Sequence, residues 1–191
     1  MSATALLNEK LGELVDGAEF ETRGRTITEG DLTSFSALTG DWHPQHSDAE
    51  WAARSRFSGR VAHGMLILSY AIGLMPFDPE RVVALRGFES ATFKRPVAIG
   101  DTIRVRCRVE STQPLDDENS LVTLALRVVN QHGRAVAMAR VHAVCRAPDD
   151  PRGRERGVVD ARDTDHGEAG NDASGPWADD VLRVYGEEAY L

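Results

Sequence analysis

The sequence predicts an α+β fold, a single domain in which an antiparallel sheet wraps around one central apolar helix, followed by an acidic C-terminal tail. Three observations lead there. Gly64 to Leu74 reads GMLILSYAIGL, apolar on nearly every side, which predicts a helix buried all round. Behind it, after Pro76 and Pro79, the hydrophobic period changes to two through a series of strand candidates. The final candidate, Ala135 to Arg146, alternates a face of small residues (Ala135, Ala137, Ala139, Val141, Ala143, Cys145) with Val136, Met138, Arg140, His142, Val144 and Arg146. A face that small lets a helix come close to the sheet.

The elements follow in order. Leu6 to Val15 predicts a short amphipathic helix, and Ala18 to Thr26 alternates as a first strand. Thr28 is a helix N-cap with Asp31 three residues on, an acidic relative of the capping box. Leu32, Phe35, Ser36 and Leu38 form the inward stripe of that helix, and Gly40 ends it. Asp41 is therefore delivered just past a helix end. Asp48 to Ala53 predicts another short helix with Ser47 as its N-cap, and SRFSGR is a turn-rich link. The strands expected after the apolar helix are Val82 to Glu89, Ala91 to Lys94, Thr102 to Glu110, Leu121 to Asn130 and Ala135 to Arg146. Gln131-His132-Gly133 is the turn between the last two.

Composition narrows the function. The 191 residues are 41% hydrophobic, ordinary for a folded domain, and contain no span suited to a membrane. The N-terminus lacks a basic region followed by an apolar run, so no signal peptide is expected and the reading is cytoplasmic. Cys107 and Cys145 fall in strand-like runs without metal spacing and are expected as buried reduced thiols. The net charge of −8 is concentrated in the tail, where Pro148 to Leu191 holds 12 acidic and 5 basic residues. The body has no basic patch that would indicate nucleic acid.

The chemistry is expected between Thr39 and Met65, TGDWHPQHSDAEWAARSRFSGRVAHGM. Asp41 and His46 stand five positions apart around Pro44, which cannot occupy a regular helix interior. Their side chains can converge on one small ligand. A carboxylate and an imidazole aimed at a common point can hold a water molecule and move its proton near neutral pH. His63 opens the apolar helix, where a capping role is the plainer reading. Asp41, His43, His46 and Asp48 also have the composition of a metal cluster, but nothing fixes their geometry and no metal is expected. Trp42, Trp51 and Phe57 are expected to fill the core. His132, His142 and His166 are read as solvated or structural.

Gly40-Asp41-Trp42-His43-Pro44-Gln45-His46, His63-Gly64-Met65, Phe93-Lys94-Arg95-Pro96-Val97 and Gly100-Asp101-Thr102 together resemble the MaoC-like dehydratases. These are hotdog-fold proteins that include the (R)-specific enoyl-CoA hydratases, and the resemblance covers about Gly17 to Arg146. It implies that Asp41 and His46 hold the water that adds to C3 of a trans-2-enoyl thioester. It also implies that the Gly64 N–H meets the thioester carbonyl, with His63 beside it, and that no metal or redox cofactor is needed. The substrate implied is an acyl thioester of CoA or of acyl carrier protein, and the assembly implied is a homodimer. Two positions depart from the family pattern. His43 stands where Asn is usual, and Ile72 stands eight residues after the HGM glycine, where better-studied hydratases have a Ser.

Three functional classes follow: a hydratase or dehydratase of enoyl thioesters, a hotdog thioesterase directing water at C1, and a non-catalytic acyl-binding or heterodimer partner. The expected domain organisation is 1–147 as the hotdog domain, 148–176 as a disordered acidic linker and 177–191 as a short amphipathic helix. The linker segment has too few large apolar residues to offset the entropy of ordering. Trp177, Val181, Leu182, Val184 and Tyr185 recur near one helical turn apart in the last segment.

Overall fold

A computed structural model describes residues 16–117 and 119–146. These residues fall in one compact unit. The helices expected at Leu6 to Val15 and within 177–191, and the linker 148–176, lie outside the described residues.

Among the described residues, six strands form a sheet: β1 (Glu19–Glu21), β2 (Arg25–Thr26), β3 (Val82–Phe93), β4 (Thr102–Pro114), β5 (Asn119–Val129) and β6 (Ala135–Arg146). The order is β1-β4-β5-β6-β3, with β2 also paired to β4, and every pairing is antiparallel. Among the described residues, four helices precede or interrupt them: α1 (Glu29–Thr39), α2 (Pro44–Ser47), α3 (Ala49–Arg54) and α4 (Gly64–Leu74). The helix α4 lies against β4 and β6.

The alternation of β6 sets which face is covered. Ala135, Ala137, Ala139, Val141, Ala143 and Cys145 are all buried, whereas Met138 and Arg140 on the other face are exposed. Leu66, Ile67, Leu68 and Ala71 of α4 join that face, together with Val105, Cys107 and Val109 of β4 and Leu124 and Leu126 of β5, in one core. Removing each Leu, Ile or Val side chain of this core from water stabilises the fold by roughly 1.5–3 kcal/mol.

Several local expectations change. The run Ala18 to Thr26 makes two short strands rather than one: Thr22 keeps its N–H on Val105 O at 2.9 Å, but its hydroxyl, in place of its carbonyl, accepts the Val105 N–H at 3.0 Å, which interrupts the backbone pairing. Val82 to Phe93 is one continuous strand whose register against β6 shifts three times, so bulges absorb what the sequence suggested was a break. Leu38 is 83% exposed and not part of the inward stripe, since the first two turns of α1 already place Leu32 and Ser36 inward. The helix α4 is not buried all round. Met65 is 56% exposed and Ser69 and Gly73, one and two turns further on, are exposed as well, because the sheet covers only one side of the helix.

The entry to α1 is tied down firmly. The Asp31 N–H donates to Thr28 Oγ1 at 3.3 Å and the Thr28 N–H donates to Asp31 Oδ2 at 2.7 Å, completing the capping box. Asp31 Oδ1 also accepts from Arg25 at 2.9 Å and from the Tyr70 hydroxyl at 2.6 Å, which joins β2, α1 and α4 at one carboxylate. At the other end Gly40 takes φ +78°, a left-handed conformation suited to glycine, and its N–H returns to Ser36 O at 2.8 Å. The chain then turns into the segment that holds Asp41.

Candidate active site

Asp41 sits in the loop between α1 and α2. Its carboxylate is about half exposed, and Oδ1 accepts the His43 N–H at 3.2 Å. Pro44 occupies the first position of α2, where a missing N–H costs nothing, so a single helical turn forms just where the sequence excluded a helix interior. That turn buries His46. Its Nδ1 lies 2.6 Å from Val61 O, and because a carbonyl oxygen only accepts, Nδ1 bears the proton. Nε2 is then a lone pair, 2.9 Å from the Gln45 amide nitrogen that donates to it.

His63, the residue before α4, is buried beside it. Its Nε2 donates to Asp41 O at 3.1 Å and lies 3.2 Å from Ser36 Oγ and 4.0 Å from Asp41 Oδ2. Its Nδ1 is buried without a hydrogen-bond partner. The His46 and His63 rings stack with centroids 3.7 Å apart and planes 25° from parallel, and the Phe35 ring packs tilted against His63 with centroids 4.9 Å apart. One donor atom each from Asp41, His46 and His63 lies within 4.8 Å of the others. Even at the full 4.8 Å, two hydrogen bonds of about 2.8 Å would meet at a shared water with an angle of about 120°.

Burial pushes the His46 imidazole below its ordinary value, and the neighbouring His63 and His43 act in the same direction. The Val61 carbonyl and the Asp41 carboxylate oppose the shift without cancelling it. His46 is therefore neutral at pH 7, with a basic nitrogen on the side away from Val61. A metal would require the lone pairs of the two rings to converge. Stacked rings put them in nearly parallel planes, so the donor set suits a bridged water better than a cation.

Gly64 is the first residue of α4, and its N–H has no acceptor within the helix. A Cβ placed there would lie 2.7–2.8 Å from three atoms of the Phe93 ring. The glycine is thus required by the close approach of the aromatic ring at the end of β3. Ile72, eight residues on, is half-buried against the core, about 12 Å further along the helix at 1.5 Å per residue. The structure brings Asp41, His46, His63 and Gly64 into one neighbourhood and leaves Ile72 outside the hydrogen-bonded cluster.

The two positions that suggested metal chemistry have local duties. His43 Nδ1 accepts the Gln45 N–H at 3.2 Å and so caps α2, as an Asn there would. Asp48, rather than Ser47, caps α3 by accepting the Trp51 N–H at 2.9 Å, because Ser47 turns back to Trp42 O and His43 O. Trp42 is 53% exposed, Trp51 is exposed and Phe57 is half-buried, so none of them fills the core. Among residues 49–54 only Ala52 is buried, since this segment runs outside the sheet. Gln45, Ser36 and Phe93 were not distinguished as site residues by the sequence. Two of them had a signal, Gln45 inside the GDWHPQH run and Phe93 as the aromatic opening the FKRPV run.

Comparison with known proteins gives the family. The family signature described as MaoC like domain matches residues 14–131, and the chain belongs to that family. Protein MaoC of Klebsiella aerogenes is 42% identical over 95 residues, 49% of this chain but only 28% of that protein's length. The (R)-specific enoyl-CoA hydratase of Rhodospirillum rubrum is 30% identical over 114 residues, covering 60% of this chain and 78% of the relative. An R-hydratase from Pseudomonas aeruginosa, solved without ligand, superposes with a TM-score of 0.60 at 34% identity, covering 71% of this chain and 84% of the other. A double-hotdog protein of Mycobacterium tuberculosis, 23% identical with a TM-score of 0.64 over 90% of this chain and 52% of its own, shares the fold. The fold is the hotdog, and the family includes hydratases and dehydratases of acyl thioesters. Among the described residues no helix is long and apolar enough to cross a membrane.

Proposed function

We propose that this chain is a hydro-lyase that adds water to a 2-enoyl thioester or removes it from the 3-hydroxyacyl product. One observation carries the reading: the Asp41 carboxylate and the buried His46 imidazole come within 4.8 Å of each other next to the start of α4. The names and structures of its relatives support the same class.

In the hydration direction, water bridges Asp41 and His46. The water takes the place of the Gln45 amide at the neutral His46 Nε2, which accepts a proton as the water oxygen bonds to C3 of the alkene. The electron pair of the double bond moves towards the thioester carbonyl, whose oxygen gains negative charge. The Gly64 N–H, unpaired within its helix and at the positive end of the helix dipole, stabilises that charge. The Asp41 and His46 pair then returns one proton to C2, so one water is consumed and the pair ends as it began. His63 holds Asp41 by its backbone carbonyl and His46 by ring stacking. Dehydration is the same path reversed.

Crotonyl-CoA is the test substrate, with alkene loss and free thiol followed together. Alkene loss without thiol is expected. Thiol release would indicate a thioesterase, and no reaction would indicate a binding partner. Asp41→Asn and His46→Ala should each lower turnover about 10²–10⁴-fold while remaining folded. Near wild-type rates in both would refute the site.

The reading includes a homodimer. Along β3, Val83, Leu85 and Phe88 are exposed, and among the described residues the strand pairs only with β6, which leaves an apolar edge that a second copy would cover. Sedimentation that gives only monomer at micromolar concentration would overturn it.

A further inference from the structure

Beyond Gln45 lies a cavity of about 600 Å³, lined by Gln45, Trp51, Arg54, Ser55, Arg56 and Phe57. Its size lies within the usual range of about 300–1,000 Å³ for small-molecule sites. It is open to solvent and has no acidic residue in its lining. Arg54 and Arg56 are exposed, and among the described residues neither is bonded to a carboxylate. Other arginines differ: Arg60 is paired with Glu29, and Arg25 with Asp31. Two cations are therefore left without an anion on a wall that also presents Trp51 and Phe57, the Arg56 guanidinium lying 5.4 Å from the Phe57 ring centroid. The link to the chemistry is Gln45, which lines the cavity and whose amide nitrogen is 2.9 Å from His46 Nε2.

We propose that this cavity receives the phosphate-bearing arm of the thioester carrier, with Arg54 and Arg56 neutralising its phosphate and the aromatic walls packing along the arm. The proposal rests on the enoyl-thioester reading of the site. Guanidinium groups suit phosphate because their planar donors match its oxygens. The wet mouth and exposed cations fit a group that remains partly hydrated, whereas an acyl chain gains by leaving water. CoA and carrier-protein thioesters share this phosphopantetheine group, so the cavity serves either carrier.

The test compares crotonyl-CoA with crotonyl-pantetheine, which lacks every phosphate, in the full-length chain and in its Arg54→Gln/Arg56→Gln double variant. The measured quantity is the ratio of the two kcat/KM values, which a general loss of fold leaves unchanged. A fall of about tenfold in that ratio, arising in KM and weakened by salt, is expected for two phosphate contacts. An unchanged ratio overturns the proposal. So does a loss confined to glutaconyl-pantetheine, whose acyl group ends in a carboxylate, because the cations would then serve the acyl end. If the wild type hydrates neither thioester, the functional reading fails independently. Calorimetry with CoA then decides the cavity: weaker binding in the double variant supports it, and equal binding overturns it.

Discussion

Replacing Gly64 by Ala tests the contact on which the site is built. The added methyl would sit 2.7–2.8 Å from three atoms of the Phe93 ring, about 1 Å inside a normal carbon contact of about 3.5–4.0 Å. Those atoms are the outer end of a side chain that is 50% exposed, so the ring can swing out rather than distort the backbone. The cost is then the burial it loses. Half of an aromatic side chain's area, about 100 Å², corresponds to about 2.5 kcal/mol. The better helix propensity of Ala returns at most about 1 kcal/mol. A net destabilisation of about 1.5 kcal/mol is expected from urea unfolding of the full chain. Phe93→Ala removes the clash, so in that background Gly64→Ala should be neutral or stabilising, a coupling of at least about 1 kcal/mol. Equal effects of Gly64→Ala in both backgrounds would refute the reasoning.

Acid should act on stability in two stages. His46 has its folded value lowered below 6.5, so the unfolded chain binds a proton that the folded chain refuses, and stability present above pH 6.5 declines as the pH falls below it. Urea midpoints between pH 5 and 7, compared with those of His46→Gln, should show a shallower slope in the variant. Burial alone would raise the Asp31 carboxyl, but the Tyr70 hydroxyl, Thr28 and Arg25 hold it at about 2 against an ordinary 3.8, so its contribution is lost as the pH falls from 3.8 through 2. Asp31→Ala removes the capping box and both long-range bonds, and should cost about 2 kcal/mol by urea unfolding at pH 7, less so at pH 2. Cys107 is buried and pushed up to about 12, so a thiol reagent at pH 8 should modify it only at the rate of unfolding, and fast labelling of the native protein would contradict its place in the core.

The sequence by itself determined the elements whose signals are local. Thr28 with Asp31 and Gly40 with its left-handed turn fix both ends of α1 through their nearest neighbours. The period of two in β6 declares its buried face, and the apolar run of α4 gives its limits, Gly64 and Leu74. Asp41 and His46 were legible for the same reason, being close in the chain around a proline. Tertiary structure alone decided what depends on residues far apart. Whether α4 is covered on all sides depends on how far the sheet curls, which no periodicity within α4 records. His63 meets Ser36 from 27 positions away, and Phe93 meets Gly64 from the far end of β3. The His46 proton is placed by Val61 O, 15 residues on, because a backbone carbonyl leaves no mark in the identity of the residue that bears it.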